Sequence, residues 1–241
     1  MPPLSPITPF LLQRDRLLLP GSPDLLLHRF CFDAAAFTPV CFAAQGMALP
    51  ASLQGAAPKR LGEFLAGRLA AREALRPFGL GARGVAIGSA REPLWPEGME
   101  GSISHSQLAG QGVALCGVRP AQGGMGLDLE AWLGPEQGRQ LWPGIVDEDE
   151  WGRLEAGGRA VGLDRSRGLT LVFSAKESLF KALYPRVGRY FDFLDARWLT
   201  LTEQTLTLEL KAPLTPTLPA GWRCTLHWQP LPGGVLTTLL L

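Results

Sequence analysis

The sequence predicts an α+β fold in two halves. Each half carries one long helical pattern and several short strand patterns, and a proline- and glycine-bearing stretch near Arg119–Gly124 separates them. The expected division is therefore 1–120 and 121–241.

In chain order, residues 1 to about 57 hold many prolines and short apolar runs of weak period. They read as irregular structure with strands around Asp24–Cys31 and Val40–Ala43. The stretch Pro58–Phe78 is a helix, opened by proline in its first turn and stopped by Pro77 and Gly79. Strand candidates follow at Gly84–Ile87, Gly101–Ser104, Gln111–Val118 and Met125–Glu130. Asp147 with Glu150 three residues on marks a carboxylate-capped helix start running to about Glu155, and Gly157–Gly168 reads as a glycine- and arginine-rich loop. A second helix spans about Leu169–Tyr184, ending at Pro185. Arg197–Thr202 and Thr205–Lys211 then form a hairpin through Glu203-Gln204, and Arg223–Gln229 and Val235–Leu241 complete the strands.

Composition narrows the function. The chain is 46% hydrophobic and 19% charged, as an ordered globular protein is, and its net charge of +1 argues against an extended nucleic-acid surface. Cys31, Cys41, Cys116 and Cys224 have no metal spacing with His28, His105 and His227, and they fit free core thiols of a reducing compartment. The amino-terminal apolar runs are interrupted by prolines and Arg14-Asp15-Arg16, so neither a signal peptide nor a membrane span is expected. Together these predict a cytoplasmic protein, read as a monomer.

Chemistry shows where ionisable groups fall on apolar faces. At about 100° per residue, the first helix sets Leu61, Phe64, Leu65, Leu69 and Leu75 on one arc, with Arg68 and Arg72 inside it. A buried arginine needs a carboxylate, carbonyls or a phosphate, so the pair is either a set of core ion pairs or an anion clamp. The second helix repeats the anomaly: Phe173, Phe180 and Tyr184 define an arc that also holds Lys176 and Glu177, with Lys181 at its edge. Between the helices, Gly126-Leu127-Asp128-Leu129-Glu130 puts two carboxylates on one strand face, about 7 Å apart. That suits either a solvated edge or, with a third acid, a Mg²⁺ site. Ser102, Ser104 and His105 on a nearby strand are good oxygen or phosphate contacts. Gly101-Ser102-Ile103-Ser104-His105 lacks the second glycine of a hydrolase nucleophile elbow, and neither a Walker A stretch nor a dinucleotide fingerprint is present.

In order, the stretches FLAGRLAAREAL, REPLWPEGMEGSISHS, GLDLE and FSAKESLFKALYP resemble the signature of the Sfp-type 4′-phosphopantetheinyl transferases, in particular the enterobactin synthetase component D-like branch. They cover about a third of the chain. The resemblance implies two similar α+β subdomains in a pseudo-twofold arrangement, with coenzyme A in the cleft between them and an apo acyl- or peptidyl-carrier protein as partner. It assigns Asp128, Glu130 and Glu177 to the metal site, and Lys176 and Lys181 to the pyrophosphate. Ser104 and His105 become coenzyme A phosphate contacts, and Arg72 with Lys59-Arg60 the surroundings of the 3′-phosphate; Arg68 joins that group from the helical arc. Two departures stand out: Arg91-Glu92-Pro93 replaces a common Gly-Lys-Pro, and Phe173 a frequent tryptophan. Residues 1–57 match nothing in the signature.

The implied reaction transfers phosphopantetheine to a carrier serine and releases 3′,5′-ADP. Mg²⁺ (or Mn²⁺) and lysines stabilise the pyrophosphate, Glu177 takes the serine proton, and Lys181 or Lys176 assists the leaving group. Another metal-dependent phosphotransferase or nucleotide hydrolase, or a non-catalytic coenzyme A-binding module, are the alternatives. Arg159, Arg165 and Arg167, against the single acid Asp164, are the expected docking patch for an acidic carrier.

Overall fold

The computed structural model describes residues 10–19 and 22–241. The first half contains strands β1 (Leu11–Leu19) and β2 (Ser22–Phe32), the one-turn helix α1 (Val40–Ala44) and the long helix α2 (Pro58–Leu75). A small hairpin of β3 (Ala86–Ile87) and β4 (Pro93–Leu94) leads to β5 (Met99–Leu108) and β6 (Gln111–Pro120). The second half runs β7 (Met125–Ala131), α3 (Pro135–Leu141), α4 (Glu148–Arg159), α5 (Arg165–Val187), β8 (Ala196–Leu201), β9 (Thr205–Leu210), β10 (Arg223–Leu231) and β11 (Gly234–Leu240). The α+β class expected from the sequence is the class observed.

Two antiparallel sheets organise these elements, one in the order β1-β2-β6-β5 and the other β7-β11-β10-β9-β8. Helix α2 lays Leu61, Leu65, Leu69 and Leu75 on the first sheet against Phe10, Phe30, Phe32 and Cys116. Helix α5 lays Leu171, Val172, Leu179 and Leu183 on the second, against Leu206, Leu226, Val235 and Leu239. A third cluster, with Leu27, Val113 and Leu115 from one sheet and Leu127, Leu129 and Leu236 from the other, joins the halves.

The end strands β5 and β7 meet at that junction. Leu127 N donates to Ser102 Oγ at 3.0 Å and Leu129 N to Ser104 Oγ at 3.1 Å, so the partners advance together and the strands run parallel. Serine hydroxyls thus satisfy strand amides that would otherwise be buried without acceptors. On its other side β7 is pressed by α5: a Cβ on Gly126 would run into the Ser178 carbonyl, so only glycine allows this approach.

Four local expectations are corrected. Val40–Ala43 is a helical turn begun at Pro39, because a four-residue apolar run has no period by which to distinguish strand from helix. The irregular reading of the first 57 residues fails over Leu11–Leu19, which is an edge strand; its part over 1–9 and 20–21 lies outside the described residues. Pro185 does not end α5, which continues to Val187 and stops at Gly188 in the left-handed conformation (φ 67). A proline in the last turn removes just one intrahelical bond. Finally, Gly157–Gly168 is mostly helical. Gly157 and Gly158 close α4, and Asp164 caps α5 by accepting from Arg167 N at 2.9 Å. Here glycine serves close packing, since a Cβ on Gly157 would lie 2.8 Å from the Trp198 ring. The arginines of this stretch are locally matched: Arg159 and Arg165 both bind Glu155, and Arg167 stands 3.8 Å from Asp164.

Candidate active site

The junction of β5, β7 and α5 gathers the acids and one lysine. Asp128 is 2% exposed, and its Oδ1 accepts from Ser104 Oγ at 2.9 Å and from Lys181 Nζ at 2.6 Å. Lys181 also donates to Leu127 O at 3.2 Å and Ser104 Oγ at 3.3 Å. Asp128 Oδ2 is buried with no hydrogen-bond partner. Glu130 lies two residues along the same strand face, and Glu177 one helical turn before Lys181. Burial, then repulsion from Asp128, pushes the Glu130 carboxyl up to about 8. Burial likewise raises Glu177, with Lys181 opposing it and Asp128 adding to it.

Three acids that repel one another around an unpartnered buried oxygen are a donor set suited to a hard divalent cation. Among the described residues no three such side chains are close enough to enclose a metal ion, so the set is open rather than a closed cage. Such openness suits an ion whose coordination is completed by phosphate oxygens.

A second cluster lines a cavity of about 290 Å³ between α2, β5 and the β3–β4 hairpin. Arg60 Nη1 donates to His105 Nε2 at 3.0 Å, and His105 Nδ1 lies 3.7 Å from Glu63 Oε2. Burial lowers the His105 pKa, which keeps the ring neutral near pH 7. With Arg60 donating to Nε2, the ring proton sits on Nδ1, facing Glu63. Arg68 is buried 4.8 Å over the Phe64 ring and donates to Ala86 O at 3.4 Å, leaving its Nε without a partner. Burial pushes its guanidinium down to about 10. A cavity of about 660 Å³ continues from here, walled by the hairpin, Gly101–Ile103 and Phe180, Lys181 and Tyr184 of α5. Arg91, Pro93 and Ile103 wall both cavities, so they form one groove from Arg60 and His105 to Lys181.

The structure therefore pairs Asp128 with Lys181 and sets Glu130 and Glu177 near enough for Asp128 to repel both; Lys181 stands at one end of the groove and Arg60, Arg68 and His105 at the other, while the three acids wall neither cavity. The remaining expected residues sit elsewhere or are already engaged. The Lys176 side chain is fully buried, donating to Ile145 O at 2.8 Å and pairing with Glu150 at 3.2 Å. Arg72 Nη1 donates to Gln45 O at 2.7 Å, a carbonyl at the end of α1, and the residue walls neither cavity. Lys59 also walls neither cavity; it is exposed, 3.9 Å from Glu63. The Ser104 hydroxyl gives its one proton to Asp128 and accepts from Leu129 N and Lys181. Glu63 was missed; its place three residues after Arg60 on the same helix was the available signal.

Comparison with known proteins identifies the class. The chain belongs to the 4′-phosphopantetheinyl transferase superfamily: the N-terminal domain model of these transferases matches residues 49–115 and the superfamily model matches 124–229. Within it, the chain stands in the enterobactin synthase component D branch. It is 35% identical over 196 residues to enterobactin synthase component D of Escherichia coli (strain K12), covering 80% of this chain and 84% of that protein. Against enterobactin synthase component D of Salmonella typhi the identity is 42% over 135 residues, 56% of this chain and 53% of that one. Against 4′-phosphopantetheinyl transferase Svp of Streptomyces mobaraensis it is 38% over 142 residues, 58% and 55%. The chain thus spans just over half the length of these last two relatives. No helix among the described residues is long and apolar enough to cross a membrane.

Proposed function

We propose that this chain transfers the 4′-phosphopantetheine arm of coenzyme A to a serine of an apo acyl- or peptidyl-carrier protein and releases 3′,5′-ADP. The observation that carries the reading is the groove, with guanidinium groups at one end and, at the other, Lys181, whose ammonium pairs with the buried Asp128 behind the groove wall. The family and the branch support it. In this reading residues 1–120 and 121–241 act as two subdomains of a cytoplasmic monomer, the nucleotide lying on the first and the reacting phosphate between them. Four buried free cysteines support a reducing compartment.

The serine oxygen attacks the β-phosphorus of coenzyme A, forming one P–O bond while the bond to the bridging oxygen of the α-phosphate breaks. Glu177, made more basic by burial, accepts the serine proton, and Lys181 stabilises the charge developing on the leaving oxygen. Asp128, Glu130 and Glu177 would hold Mg²⁺ or Mn²⁺, which when bound neutralises the pyrophosphate. Lys176 has no part, being sealed against Glu150. Arg60, Arg68 and neutral His105 orient the nucleotide through its phosphates.

Intact-mass measurement of apo-carriers after incubation with coenzyme A and Mg²⁺ tests the reading. A gain of one phosphopantetheine is expected. Nucleotide cleavage without a carrier would indicate a hydrolase, and binding with no mass change a non-catalytic module; either result refutes the proposal.

A further inference from the structure

A cavity of about 680 Å³ opens where α3, α4 and the start of α5 meet, and it shares no wall residue with the groove. Ser166, in its wall, stands about 16 Å along the axis of α5 from Glu177, at about 1.5 Å per residue. The cavity is therefore separate from the candidate active site.

Its wall gathers donors that the protein leaves unanswered. Arg139, Arg159 and Arg165 each engage a carboxylate through Nη2 alone, the first with Glu136 and the other two with the same Glu155. Arg165 Nε is buried without a partner. Ser166 is only 7% exposed, yet among the described residues its hydroxyl makes no hydrogen bond. A buried hydroxyl left alone in this way is uncommon and calls for an acceptor. Beside it Gly138 of α3 leaves space, since a Cβ there would stand 2.8 Å from Ser166 Oγ. The backbone supplies more donors. Asp164 accepts from Arg167 N through its side chain and from Gly168 N through its carbonyl, so the amides of Arg165 and Ser166 remain as the first two donors of a 23-residue helix.

Free amides at a helix start, a buried hydroxyl and guanidinium groups together suit a tetrahedral oxyanion. Trp151, in the same wall, is not a free stacking platform. Its ring already stacks on Trp142 at 5.2 Å and lies 5.0 Å from the Arg165 guanidinium, so the ligand that fits is compact rather than planar.

We propose that this cavity binds a phosphate group, held by Ser166 Oγ, the first amides of α5 and Arg165. The site is distinct from the groove and does not depend on the transferase reading.

The experiment follows the backbone amides of Arg165 and Ser166 by NMR while sodium phosphate is titrated at fixed ionic strength, with sodium chloride as the control. Arg60→Ala is titrated in parallel, because the arginines of the groove also attract phosphate. Wild type and Arg60→Ala should show the same saturable shifts at these two amides at millimolar phosphate. Ser166→Ala should weaken binding roughly tenfold, through loss of a hydrogen bond to a charged group. Arg165→Gln should weaken it at least as much, and Arg165→Lys less. Asp164 still caps α5 in all three variants, and thermal unfolding checks that they fold. Glycerol 3-phosphate separates the two sources of the group: shifts matching those with inorganic phosphate admit a phosphate ester, and shifts with inorganic phosphate alone confine the site to the free ion. Absence of saturable shifts in wild type with both probes overturns the proposal. So does wild-type affinity in both Ser166→Ala and Arg165→Gln.

Discussion

Replacing Lys176 by methionine separates a structural ion pair from a catalytic lysine. Lys176 is 1% exposed; its ammonium donates to Ile145 O and contacts both carboxylate oxygens of Glu150, at 3.2 and 3.3 Å. Glu150 is equally buried and accepts from Trp198 N at 2.8 Å and from Asp147 N at 3.2 Å, the latter completing the cap of α4. One charge pair thus ties α5 to α4, β8 and the turn after α3. Burial holds the Lys176 ammonium below its ordinary pKa while Glu150 pulls the other way. Removing one partner leaves a buried carboxylate with only two amide donors, which costs about 3–5 kcal/mol. At about 2–4 °C per kcal/mol for a chain of this size, the melting temperature should fall by about 6–20 °C. Lys176→Met with Glu150→Gln removes both charges and keeps the Trp198 acceptor, so it should recover to within about 1–2 kcal/mol of wild type. Urea unfolding of wild type, Lys176→Met, Glu150→Gln and the double variant gives the coupling energy, and coenzyme A titration well below the melting temperature gives binding. A Lys176→Met protein that melts within about 2 °C of wild type yet has lost coenzyme A affinity would refute this account.

Further outcomes are expected at the acids and at the arginines of α2. Because the folded pKa of Glu130 lies at about 8 against 4.5, its contribution to stability is fully present below pH 4.5 and lost as pH rises through about 8. Glu130→Gln should therefore gain on wild type progressively across that window, by about 2–5 kcal/mol at pH 9 without divalent cations; parallel unfolding curves from pH 4 to 9 would count against it. Asp128→Asn should retain the fold, since an amide can still accept from Ser104, and should abolish transfer in the carrier mass assay. Arg60→Ala should weaken coenzyme A more than 3′-dephospho-coenzyme A, whereas Arg72→Ala should lower stability by about 1–3 kcal/mol by stranding the Gln45 carbonyl and affect both ligands equally.

The parts of the fold legible in the sequence were those whose pattern is long relative to its period. Helices α2 and α5 each run at least five turns, and the β8–β9 hairpin alternates on both arms, so periodicity found them. Strand β1 was obscured for a physical reason. It lies at the edge of its sheet, where charge is favoured, and Asp15 there pairs with Arg29 across the ladder; Arg14-Asp15-Arg16 therefore interrupts an apolar run without breaking a strand. In the same way Gly157 and Gly158 looked like loop punctuation, although their missing side chains make room for Trp198 and the backbone of Leu163.

On α5 the angular spacing of the ionisable residues already separates the two lysines. At about 100° per residue Glu177 and Lys181 lie about 40° apart, on one side of α5, while Lys176 lies about 140° from Lys181, so angular spacing alone sends Lys176 to a different neighbour. On α2 the same projection fails. Arg68 and Arg72 are only about 40° apart and seem equivalent, but at about 1.5 Å per residue Arg72 stands about 18 Å along the axis from Arg60. A wheel discards that axial coordinate, and here it decides the matter: Arg60 and Arg68 face the cavity with His105, and Arg72, one turn further on, reaches Gln45 at the end of α1. Arg91 lies beyond any wheel, because its place in the groove comes from a turn whose left-handed residue the sequence gives no reason to expect at an arginine.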